Sequence, residues 1–158
     1  DFAREGLFNL LRFRVDLNGA KVLDLFSGTG MVGIECASRG ASFVTAIEKQ
    51  RAACDYIKKS YTTLGYCELV VLSTDVFKYL ENASQRPSSS YDLVFADPPY
   101  DLKQLEMIPS IVKNSGLVDS DGLFVLEHGE NNSFEGEAGF VERRKYGHVH
   151  FSFFTFES

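Results

Sequence analysis

Lys21-Val22-Leu23-Asp24-Leu25-Phe26-Ser27-Gly28-Thr29-Gly30 runs from a short, mostly apolar segment into a glycine-rich turn, with Gly33 close behind. The apolar run is the pattern of a strand buried on both faces. The glycines let the backbone pass close to a ligand, and a helix beginning at Gly30 offers that ligand free N–H groups and a positive dipole end. Outward from this turn, further short strands are predicted at Ser42–Ile47, Leu69–Leu72, Tyr91–Ala96 and Leu123–His128. Helices are predicted between them, with Gly30–Arg39 stopping at Gly40 and Gln50–Leu64 at Gly65. Such alternation predicts an α/β fold, a parallel sheet with helices on both faces. The polar stretch Arg86-Pro87-Ser88-Ser89-Ser90 reads as a loop into the strand at Tyr91. Phe140–Tyr146 and His148–Phe156, separated by Gly147, predict an antiparallel hairpin whose Phe151, Phe153, Phe154 and Phe156 fill the core.

At 158 residues and 44% apolar composition, the chain suits a single domain, 1–158, that folds without disulfides. Cys36, Cys54 and Cys67 are odd in number and lack CxxC spacing, so neither a disulfide framework nor a zinc site is expected, and a reducing cytoplasm fits. No apolar run approaches the roughly 18 residues of a membrane span. The first residues do not resemble a signal peptide, and the missing initiator Met reads as the mark of a fragment. A net charge of -6 argues against a broad basic surface. The local basic clusters are Arg12 with Arg14, and Arg143-Arg144-Lys145; solvated surface is the commoner fate of such runs. His128, His148 and His150 read as structural or solvated rather than as metal ligands.

For the glycine turn, the anion expected is the methionine carboxylate of S-adenosylmethionine. Gly28, Gly30 and Gly33 also satisfy the G-x-G-x-x-G of dinucleotide-binding oxidoreductases. Two features decide against that reading: a dinucleotide strand is normally apolar at Asp24, where a carboxylate can accept from the cofactor's ammonium, and an oxidoreductase leaves Asp97-Pro98-Pro99-Tyr100 with nothing to do. Glu48, about 20 residues beyond the glycines, is placed to accept from both ribose hydroxyls. Asp75 is expected to take the adenine amino group and the Val76 N–H a ring nitrogen, although Asp75 equally suits the N-cap of a helix over Val76–Leu80. The expected cofactor site is thus Asp24, Phe26, Ser27, Gly28, Thr29, Gly30, Glu48, Lys49, Asp75, Val76 and Asp97.

Asp97-Pro98-Pro99-Tyr100 lies at the carboxyl end of the predicted fourth strand, where open α/β sheets bind ligands. An exocyclic base amine is a poor nucleophile because its lone pair is delocalised into the ring. Two acceptors on its N–H bonds favour the pyramidal, nucleophilic geometry, and Asp97 and the Pro98 carbonyl can supply them. Pro98 and Pro99 fix the backbone that aims them, and Tyr100 offers a face for a base turned out of its stack. Alone the motif would pass for a turn after a strand; after the glycine loop it reads as a reaction centre.

With Arg4-Glu5-Gly6-Leu7-Phe8-Asn9-Leu10-Leu11 ahead of the loop, Gly33-Ile34-Glu35, Ser38-Arg39-Gly40-Ala41, Glu48-Lys49 and the closing Gly147-His148-Val149, almost the whole chain resembles the RsmD-type small-subunit ribosomal RNA guanine-N2 methyltransferases. The resemblance implies a Rossmann-like class I methyltransferase fold: a mostly parallel seven-stranded sheet closed by the antiparallel C-terminal hairpin. It implies S-adenosylmethionine as cofactor, guanine N2 as acceptor, Asp97, Pro98, Pro99 and Tyr100 as the catalytic group, and no metal. The implied partner is ribosomal RNA or the small-subunit particle, met by a cytoplasmic monomer. The loop and Asp-Pro-Pro-Tyr alone also fit adenine-N6 enzymes, and a non-catalytic cofactor-binding or RNA-binding module is the reading from a different class. In the family a basic hairpin and a Pro-Thr-rich segment precede the opening helix; this sequence lacks them.

Overall fold

The computed structural model describes residues 1–85 and 90–157, so the loop expected over 86–90 lies, apart from Ser90, outside the described residues. The strands are β1 (Lys21–Leu25), β2 (Phe43–Glu48), β3 (Glu68–Ser73), β4 (Tyr91–Ala96), β5 (Val118–His128), β6 (Phe140–Tyr146) and β7 (Val149–Phe154). Among the described residues they form one sheet in the order β3-β2-β1-β4-β5-β7-β6. The pairings from β3 to β5 are parallel, and those of β7 with β5 and β6 are antiparallel. This is the Rossmann-like architecture expected, with β1 and β4 side by side where the strand order reverses.

Helices α1 (Phe2–Leu11), α2 (Met31–Ser38) and α3 (Arg51–Leu64) cover one face, burying Leu7, Phe8, Cys36, Ile57 and Tyr61 against Val22, Val44, Phe95 and Val125. Helices α4 (Val76–Gln85) and α5 (Ile108–Ser115) cover the other, where Leu80, Ile108 and Val112 meet Leu23, Val94 and Phe124. The parallel strands are apolar on both faces because both faces are covered. Gly65 caps α3 at φ 64, as its position after the apolar period predicts.

Strand β5 begins at Val118, well before the expected Leu123. Its first half is polar and joins β4 through a register shift between Tyr91 and Leu93, which hides it from an apolar-run criterion. A Cβ on Gly122 would stand 2.9 Å from the Tyr91 carbonyl, so the irregularity requires glycine. Phe151, Phe153 and Phe154 are core residues, and Phe124 stacks on Phe154 at 5.4 Å between ring centres. Helix α1 crosses the hairpin at Gly6, whose missing side chain leaves room for the Tyr146 ring. Among the described residues no helix is long and apolar enough to cross a membrane.

Candidate active site

Strand register decides what meets at the carboxyl edge of the sheet. Asp24 pairs with Phe95 and with Ala46, Ala96 pairs with Leu126, and Glu127 pairs with Phe151. Because side chains alternate, Asp24, Glu48, Asp97 and Glu127 all fall on the face covered by α1, α2 and α3, around its carboxyl edge. They line one cleft of about 700 Å³, closed at one end by the start of α1. That volume suits a nucleoside-sized cofactor with a base beside it.

The expected residues Asp24, Phe26, Ser27, Gly28, Thr29, Glu48, Lys49, Asp75, Val76 and Asp97 to Tyr100 all line this cleft. Gly30 does not. It turns the chain at φ 77, with Ile57 only 2.9 Å from where a Cβ would be. Gly33 serves close packing, since a Cβ there would lie 2.7 Å from the Tyr61 hydroxyl oxygen and 3.5 Å from Asp24 Oδ2. Phe26 holds φ 56, a left-handed conformation that costs a bulky residue on the order of 1–3 kcal/mol, and its ring meets Phe77 edge-on.

Two features of the loop leave polar groups without partners. Asp24 is buried and its Oδ2 has no hydrogen-bond partner. Burial pushes its carboxyl up to about 8, against the pull of Ser27 and the Gly33 N–H, and Asp97 and Glu48 add to the rise. Beside it, α2 starts at Gly30 with no side chain capping its first N–H groups. Glu48 is tied into the loop: Gly28 N–H donates to its Oε1 at 3.0 Å and Gln50 N–H to its Oε2 at 2.8 Å. Asp75 does cap α4, accepting from the Lys78 N–H at 3.1 Å, while still facing the cleft.

At the far side, Asp97 follows β4 and Glu127 stands near the end of β5. Sequence reading missed Glu127 because it is the one acid in the mostly apolar half of β5 from Leu123 onward. Burial, then the charge of Asp97 and a hydrogen bond to it, pushes Glu127 up to about 8; Asp97 is raised too, chiefly by burial. Each carboxyl therefore resists ionisation beside the other. Tyr100 is half exposed beside them, its ring 3.5 Å from where a Cβ of Gly129 would stand.

The basic clusters behave as solvated surface. Glu142 pairs with Arg14 and, at 3.0 Å, with Arg144, and Arg143 lies 3.5 Å from Glu135. Arg12 stands about 12 Å along α1 from the cleft-lining Arg4. His128 Nδ1 bonds the Gly129 carbonyl at 2.8 Å and Nε2 the Ser152 hydroxyl at 2.7 Å, while His148 is exposed beside Glu130. Among the described residues no His, Cys, Asp or Glu cluster could hold a metal.

Residues 1–155 match the family described as conserved hypothetical protein 95. Ribosomal RNA small subunit methyltransferase D of Buchnera aphidicola (subspecies Baizongia pistaciae) is 31% identical over 133 residues, covering 84% of this chain and 65% of that protein. Its namesake in Escherichia coli K12 is 31% identical over 128 residues, 80% of this chain and 61% of the other. This chain thus spans less than two thirds of the length of either relative. Among solved structures, a hypothetical protein of Thermus thermophilus superposes with TM-score 0.83 at 29% identity, over 97% of this chain and 84% of that one. The Thermus thermophilus 16S rRNA N2 methyltransferase RsmC, in complex with AdoMet and guanosine, shares the fold with TM-score 0.76 at 20% identity, over 99% of this chain and 43% of that one.

Proposed function

From the premise that this chain belongs to the conserved hypothetical protein 95 family, the RsmD type, we propose that it methylates the exocyclic N2 amine of a guanine in small-subunit ribosomal RNA, using S-adenosylmethionine. It acts as one domain, a cytoplasmic monomer without a metal. The observation that supports it is one cleft with the unpartnered Asp24 carboxyl and the uncapped start of α2 at one end, and Asp97-Pro98-Pro99-Tyr100 at the other.

The residues fit the cofactor. The orphaned Asp24 Oδ2 needs a donor and the uncapped start of α2 needs an acceptor, which the ammonium and carboxylate of an amino acid supply together. Glu48 accepts from the ribose hydroxyls while its loop hydrogen bonds set its orientation. Phe26, Lys49, Asp75 and Val76 line the same cleft, where Asp75 would accept from the adenine amino group and the Val76 N–H would serve a ring nitrogen. When bound, S-adenosylmethionine supplies an electrophilic methyl group on a sulfonium.

The chain's own task is to hold the amine. Asp97 and the Pro98 carbonyl accept its two N–H bonds, and Tyr100 stacks on the flipped base, an interaction worth about 1–3 kcal/mol. Positioning matters more than a strong base here, and Asp97 is placed to take the proton afterwards, once the amine has gained the methyl that leaves the sulfonium sulfur. The acidic cleft suits a cationic cofactor and a neutral base, so RNA phosphates stay outside it.

The test is transfer from labelled S-adenosylmethionine to undermethylated small-subunit RNA and particles, followed by digestion to nucleosides. Label is expected in N2-methylguanosine, and Asp97→Ala should lower the rate at saturating cofactor by about 10²-fold. Label in N6-methyladenosine would overturn the substrate; no label despite tight cofactor binding would favour a non-catalytic module.

A further inference from the structure

Glu127 has no structural reason to be an acid. It is half-buried near the end of β5, opposite Phe151 of β7 and one residue past Leu126, the partner of Ala96, so that it lines the cleft beside another carboxylate, Asp97. Two like charges brought together out of water oppose folding, and an apolar residue of similar size would pack there at lower cost. The arrangement gains only if a ligand brings two donors side by side into the cleft that both acids line.

The Watson–Crick edges of the bases differ in this respect. Guanine presents N1–H next to its N2 amine, two donor positions on adjacent atoms. Adenine and cytosine each present an amine beside a ring nitrogen lone pair, and uracil a lone N–H between carbonyls. A pair of neighbouring acceptors is therefore complementary to guanine and repels the lone pair of the others.

We propose that Glu127 accepts the N1–H of the guanine whose N2 amine Asp97 holds, and that it thereby selects guanine over adenine. This rests on the guanine-N2 reading above. Glu127 is a specificity residue in contact with the substrate base, and Asp97 remains the group at the reacting amine. Glu127 accepts only as a carboxylate, and burial beside Asp97 pushes it up to about 8, so binding tightens as pH rises through that value.

The experiment uses the full-length protein and a small-subunit RNA fragment carrying the methylated site. The target is either guanosine or 2-aminopurine, which keeps the C2 amine but has a lone pair at N1. Fluorescence of 2-aminopurine reports binding independently of methyl transfer. Wild type is expected to favour guanosine by about tenfold or more in KM, the effect of one charge-assisted hydrogen bond. Glu127→Gln, whose amide can donate to N1, should weaken guanosine, strengthen 2-aminopurine, bring their ratio toward unity and remove the pH dependence of KM. An unchanged ratio in the variant, with N2-methylguanosine still formed, would overturn the role of Glu127 alone. So would a wild type that treats both bases equally, a result that needs no variant to fold. Label from wild type in N6-methyladenosine, or none at all, would instead remove the guanine reading on which the role rests.

Discussion

Glu127 and His128 are neighbours on β5, yet their surroundings are opposite in kind. His128 points into the region of Phe134, Ser152 and Phe154, where both its ring nitrogens are bonded and aromatic rings close around it. Glu127 faces the cleft, where its partner is a like charge, where Asp24 Oδ2 lacks a partner, and where Phe26 holds a left-handed backbone. Among the described residues, buried side-chain polar atoms on the hairpin side are bonded apart from His150 Nδ1. The groups of the cleft oppose folding unless something else arrives. We propose that this opposition marks the cleft groups as ligand-facing.

The largest expected effect tests the hairpin side. Phe154→Ala removes a ring stacked on Phe124 and Phe156, and should cost about 3–5 kcal/mol in denaturant unfolding. Cofactor affinity per folded molecule should not change. A selective loss of affinity would break the separation between the two regions.

Asp24→Asn probes the opposite side. Losing the charge that meets the cofactor ammonium should weaken binding by about 10–100-fold, the equivalent of about 1.5–3 kcal/mol for a charge-assisted hydrogen bond, measured by calorimetry. The sign of its pH effect follows from burial. The folded carboxyl titrates at about 8 against a starting value of 3.8, so the native state holds an extra proton between them. Its contribution to the stability of the free protein is present below 3.8 and is lost as pH rises toward and through about 8. Binding of a cation shows the reverse, tightening as pH rises through the same value. Asn should flatten both profiles, and profiles unchanged in the variant would place the titration elsewhere.

Asp75→Ala gives the smallest effect and sharpens the boundary, since Asp75 belongs to both regions. Loss of its cap on Lys78 should cost about 1 kcal/mol of stability. Weaker cofactor binding beyond that loss would add the adenine contact; a change in melting temperature alone would leave Asp75 as a cap.

Much of this could be read from local pattern. Apolar runs separated by glycine stops placed the core of every parallel strand, and Gly147 marked the hairpin. The first half of β5 escaped because its polar residues pair through a bulge at Gly122, which no apolar run announces. Arg14 and Arg144 looked like separate basic clusters until the fold set Glu142 between them.

The sequence by itself determined the order of elements, the glycine turn after β1 and the Asp-Pro-Pro-Tyr turn after β4, because strand burial and turn chemistry are properties of neighbouring residues. Only the tertiary structure decided that Glu127 stands beside Asp97, that Asp24 lacks a partner, and that Gly6 admits Tyr146. Those facts depend on which residues are paired across strands and which helix crosses them, and register between distant segments is written in no local pattern.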